Sequence, residues 1–173
     1  MKMQKKAVSA LVATVLLILI TVAAVGIIWG AIMPMINQAT QYGQSCMNAR
    51  LQINTDSGYT CYNASGVVLA NIERGAEDFV PTGIQLVVSG GGQSNVFKVS
   101  DKLAAPSSVS ELPSNYSGNA LDVPGTNEAR TYVVNSGMTV TSELAVAPIV
   151  KVGNTEKVCD VSSRVTLSAC RTG

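Results

Sequence analysis

Residues 5–36 read KKAVSALVATVLLILITVAAVGIIWGAIMPMI, and this stretch decides the architecture of the chain. Lys2, Lys5 and Lys6 stand before it or at its start, and no further charged residue appears until Arg50. As an α-helix, residues 7–36 would measure about 45 Å, against about 30 Å for the hydrocarbon core of a bilayer. Such a helix can span a membrane and project beyond it. Pro34 lacks an N–H and predicts a kink or an end nearby. Residues 37–45 (NQATQYGQS) are polar and uncharged, and Gly43 predicts a break. The leading lysines predict a cytoplasmic N-terminus. The rest of the chain, with 9 basic and 11 acidic residues, then lies outside. Trp29 falls where an outer interfacial aromatic belongs. Gly26 and Gly30 form a G-x-x-x-G pattern through which two helices can approach closely.

Plainer readings compete for this segment. A buried core helix is at odds with 30 uncharged residues in so small a protein. A secretory signal has an apolar region of only about 7–15 residues. A single-span anchor remains open beside a packing helix.

Beyond this segment, composition removes several classes of function. The 173 residues contain no His, which excludes Ser-His-Asp and Cys-His catalysis and His-ligated metals. The net charge of +1 gives no field for nucleic acid, and 5% aromatic residues make a poor stacking platform for single strands. At 47% hydrophobic, the chain is too apolar to be disordered.

From Arg50 onward the pattern shortens to β-like runs. Expected strands are 51–53, 66–72 (GVVLANI), 83–89 (GIQLVVS), 95–99 (NVFKV), 131–135 (TYVVN), 138–140, 144–152 and 164–169. Pro148 predicts an edge or bulge position for its own strand. Seven to nine short strands joined by Gly, Ser and Asn turns predict a β-sandwich. Residues 101–130, rich in Ser, Asn, Pro and Gly, read as one long surface loop. The fold class is therefore α+β: a long N-terminal hydrophobic helix followed by an all-β, sandwich-like globular domain.

Cys46, Cys61, Cys159 and Cys170 all follow the apolar segment, and an even count on the outer side reads as two disulfides. Three pairings are possible, and proximity along the chain favours Cys46–Cys61 with Cys159–Cys170. A zinc site is disfavoured, because there is no C-x-x-C and no His. Asn63-Ala64-Ser65 and Asn115-Tyr116-Ser117 are sequons for N-glycosylation. Asp56-Ser57-Gly58 imitates an aspartic-protease triplet, but there is no second copy to share a proton, so it reads as a turn. Gly90-Gly91-Gly92 lacks the Lys-Ser/Thr of a phosphate loop and reads as a hairpin tip. Glu73, Glu77 and Asp78 lack the spacing of a calcium loop and read as a solvated face. No catalytic residue, metal or cofactor is expected.

The segment KKAVSALVATVLLILITVAAVGIIWG closely resembles the N-terminus of archaeal type IV pilins, a group that includes archaellins. The likeness covers about residues 5–34. It implies a basic leader of the class III signal-peptide kind, cut by a prepilin peptidase. Carried onto this chain, Lys6 is the basic residue, Ala7 ends the leader and Val8 begins the mature protein. The bond between Lys6 and Ala7 is the alternative cut. Ala7 departs from the family's usual Gly. Val12 stands where bacterial pilins carry an acidic residue, which leans the likeness toward the archaeal group. The resemblance implies residues 1–7 as leader, 8–45 as membrane and filament-core helix with stalk, and 46–173 as an extracellular β domain. It implies a non-enzymatic subunit whose partners are the membrane before assembly, the peptidase, and identical or homologous subunits in a surface filament serving adhesion. Three alternatives have the same outline: an archaellin-type motility subunit, a minor subunit of a secretion or uptake machine, and a monomeric anchored binding protein.

Overall fold

The structure is a computed structural model that describes residues 4–77, 79–104, 106–112 and 120–171. It divides into two compact units, Met1–Gln41 and Tyr42–Gly173.

The first unit is helical. α1 (Gln4–Ile27) passes into a five-residue π turn, Ile28–Ile32, and then into α2 (Met33–Asn48), whose last turns belong to the second unit. Of the kink or end expected near Pro34, the end does not occur. The π turn shifts the hydrogen-bond register just ahead of the proline, and α2 continues through it despite the lost donor. Gly43 does not break the helix either. One glycine costs about 1 kcal/mol in a helix, and the turn after it is held by tertiary bonds described below. Every side chain from residue 10 to residue 41 is exposed.

Among the described residues, the second unit holds twelve strands. Sheet A comprises β1 (Leu51–Ile53), β2 (Cys61–Tyr62), β3 (Val67–Arg74), β7 (Val109–Leu112) and β9 (Ala129–Asn135), ordered β1-β3-β9-β7 with β2 also on β3. Sheet B comprises β4 (Gly83–Gly90), β5 (Gln93–Ser100), β10 (Glu143–Val152), β11 (Thr155–Val158) and β12 (Ser163–Thr166), ordered β11-β10-β4-β5 with β12 also on β10. β6 (Leu103–Ala104) and β8 (Ala120–Leu121) form a small pair. Every strand pair is antiparallel.

Alternation along the strands builds the core, as a period of two requires. Val68, Ala70 and Ile72 of β3 and Tyr132 and Val134 of β9 share one apolar cluster with Ile84, Leu86 and Val88 of β4 and Leu144 and Val146 of β10. β4 and β5 meet in a two-residue hairpin in which Gly90 pairs with Gln93. Gly91 (φ 58°) and Gly92 (φ 79°) supply the left-handed backbone that such a turn requires.

Three expectations are corrected. Residues 101–130 are not one surface loop. They contain β6, β7 and β8, and Val109, Leu121 and Val123 are buried. Strands of two to four residues are too short to show a period. Residues 138–140 form no strand; they lie in the crossover between β9 and β10, where Met138 is buried. Pro148 does not place its strand at an edge. β10 is interior, with β4 along one side and β12 and β11 in succession along the other. β12 pairs with residues 143–146 and β11 with 149–152, so Pro148 falls at the handover. There its carbonyl accepts the Cys159 N–H at 2.9 Å, and its nitrogen, which can donate nothing, falls between the two partner strands.

Candidate functional site

The feature of the first unit that stands out is apolar surface with nothing over it. Leu17, Ile20, Val22 and Ile27 are each exposed by about two thirds, as is Trp29 at 65%. Two of the hydroxyls within the stretch bond back to the helix itself. Thr14 Oγ1 donates to the Leu11 carbonyl and Thr21 Oγ1 to the Ile18 carbonyl, both at 2.8 Å. This suits an environment without water, where an unpaired donor is costly. A Cβ added at Gly26 or Gly30 would meet no atom within 4 Å, so both backbones are open to approach. The helix is long and apolar enough to cross a membrane. Lys6, Ala7 and Val8 lie on helical backbone within α1.

The end of α2 is fixed within the second unit. The Tyr42 hydroxyl lies 3.0 Å from the Thr155 carbonyl and 3.4 Å from that of Val152, both on the β10–β11 hairpin. Lys157 Nζ sits 5.6 Å from the centroid of the Tyr42 ring, within cation–π range. One turn later a disulfide joins Cys46 to Cys159, with Cα atoms 5.5 Å apart. Tyr42 and Lys157 were not expected from the sequence. An isolated aromatic in an uncharged polar stretch was the only available signal.

The disulfide expectation is corrected here. The bridges are Cys46–Cys159 and Cys61–Cys170, not the two local pairs. After β12 the chain runs beside β2. Tyr62 N–H donates to the Ser168 carbonyl and Cys170 N–H to the Tyr62 carbonyl, so Cys61 faces Cys170 across a short parallel bridge. Two structural disulfides are the usual mark of an oxidising compartment, and they fit an exported domain.

At one end of the core lies a charge cluster. Arg130 reaches Glu111 through Nη1, Asp122 at 3.5 Å and Glu128 at 2.8 Å. Burial works against the Arg130 charge. The hydrogen bond and charge of Glu111 outweigh it, with help from Glu128 and Asp122, and hold the guanidinium above its usual pKa. Tyr132 donates to the Asp122 carbonyl at 2.6 Å. Burial, and after it the Glu111 charge, push this phenol far above its ordinary 10.0. The carboxylates are committed to Arg130, and the cluster closes the core. Among the described residues no group of His, Cys, Asp or Glu is arranged to hold a metal.

The remaining sequence candidates fall into place singly. Asn63 is exposed at the β2–β3 turn, and its Oδ1 accepts the N–H of Ser65 and of Val67. Asn115 and Asp78 lie outside the described residues. Asp56-Ser57-Gly58 is a turn: Asn54 Oδ1 accepts the N–H of Asp56 and Ser57, and Gly58 has φ 75°. The chain matches no protein-family model, no curated protein and no solved structure.

Proposed function

We propose that this protein is a structural subunit, a pilin, of an archaeal type IV pilus-like surface filament. The observation that carries the reading is the uncovered apolar helix joined to a disulfide-bonded β domain. A lone span of about 20 residues is enough for an anchor. Here the uncovered helix runs from residue 10 to residue 41. The resemblance of residues 5–34 to archaeal type IV pilins supplies the family. In this reading the helix resides in lipid first, with its backbone bonds satisfied internally. A prepilin peptidase then cuts after Ala7, and the helices of many copies pack as a filament core. A head-to-tail contact that does not close generates a fibre. The β domain coats the fibre and meets surfaces, which fits adhesion.

The test is N-terminal and intact-mass analysis of the protein from its native envelope, beside Ala7→Leu. The expected mature chain begins at Val8 and is absent from the variant, and electron microscopy of the wild-type envelope shows filaments containing the protein. A chain beginning at Met1 or Lys2 in both would replace this reading with a single-span anchored domain.

A further inference from the structure

The π turn and the proline after it take helical donors away from neighbouring backbone carbonyls. Met33 N–H donates to the Ile28 carbonyl, five residues back. In a regular α-helix that N–H would serve Trp29. The donor five residues after Trp29 is Pro34, which has no N–H. The Trp29 carbonyl therefore lacks both its α and its π donor. The indole N–H of the same residue finds no acceptor among the described residues, and its side chain is 65% exposed. Gly30 follows directly, with open space where a Cβ would stand. One short stretch of helix thus carries a spare donor, a spare acceptor and room for a neighbour.

We propose that the indole N–H of Trp29 in one copy donates to the Trp29 backbone carbonyl in the π turn of a neighbouring copy. This rests on the filament reading above. In a bilayer, Trp29 lies about 33 Å of helix beyond residue 7, at the far interface, where water serves both groups. In a packed helical core that water is gone, and an unpaired amide or indole group is costly. A second copy brings the matching group for each. The contact therefore adds nothing to the inserted precursor and stabilises the assembled state, so it selects assembly over residence in the membrane.

The test uses filaments sheared from cells producing the full chain as wild type, Trp29→Phe, Pro34→Ala or both. Phe keeps a ring and removes the donor. Ala at 34 removes the reason for the π turn, so the regular register returns and Met33 N–H occupies the Trp29 carbonyl. The readout is the fraction of subunit released at a fixed temperature in mild detergent. Each single variant is expected to raise release about three- to tenfold, the worth of one hydrogen bond. The double variant is expected to match the stronger single, because both remove the same bond. Multiplied effects in the double, or unchanged release in Trp29→Phe, overturn the proposal. Trp29 is the chain's sole tryptophan, so ultraviolet resonance Raman of wild-type filaments reads its indole directly. A bonded N–H is expected there, and a free one overturns the contact even where a variant fails to assemble. Filaments with a free indole leave the pilin reading standing. Wild-type cells with an intact anchored chain and no filaments remove both.

Discussion

Tyr132 shows how a single residue ties the core to its charged end. Its ring is buried within the apolar cluster while its hydroxyl reaches the Asp122 carbonyl. Burial and the neighbouring Glu111 make the phenolate costly in the folded state only. Below pH 10 folded and unfolded chains both hold the proton, and the full stability is present. Above it the unfolded chain releases the proton first, so stability falls by about 1.4 kcal/mol per pH unit until the folded form also titrates. Denaturant melts of the intact chain in detergent between pH 9 and pH 11.5 should show this slope, and Tyr132→Phe should flatten it. A wild-type profile as flat as the variant's would count against the assignment. Gly66 is constrained in another way. It has φ 76°, and a Cβ there would collide with the Met138 carbonyl, which is why the crossover after β9 can lie against the β2–β3 turn.

At the scale of elements, the bridges set the frame. Cys46–Cys159 and Cys61–Cys170 span 113 and 109 residues, and they interleave. Replacing Cys46 and Cys159 together by Ser is expected to cost about 2–5 kcal/mol of unfolding free energy. Peptide mapping without reduction should recover Cys46 joined to Cys159. A fragment linking Cys46 to Cys61, or a double variant as stable as the wild type, would contradict the connectivity. The strands themselves were largely legible. β3, β4, β5 and β9 each carry apolar residues that alternate over part of their length, β10 is a continuous apolar run, and the glycine hairpin announced its turn. Pairing across the chain was not legible. Proximity pointed to local bridges, whereas Cys61 meets Cys170 only after β2 and the last residues have come together. Pro148 likewise looked like an edge residue because the partner change from β12 to β11 exists only in three dimensions. Nothing in the order of Glu111, Asp122, Glu128 and Arg130 announced that they would meet.

For the whole molecule, the helix is the part whose surroundings lie outside the chain. Leu17→Lys places a charge in the middle of the apolar run and is expected to weaken membrane insertion by about 3 kcal/mol. Carbonate extraction of membranes from cells producing the full chain should then release the variant and retain the wild type. Equal retention would mean that the helix does not depend on lipid. The Cys46–Cys159 bridge has a mechanical consequence as well. Suppose the molecule is pulled between α2 and residue 170. Tension enters at Cys46, crosses one sulfur–sulfur bond to Cys159 and leaves along the final stretch of chain. Most of the residues between those two cysteines lie off this line as a closed loop, so the greater part of both sheets carries no load. Only the short stretch after Cys159 can lengthen, and Cys61–Cys170 ties that stretch back to the loop. Under tension, such a domain behaves as a clamp of nearly fixed length and holds little hidden chain to release.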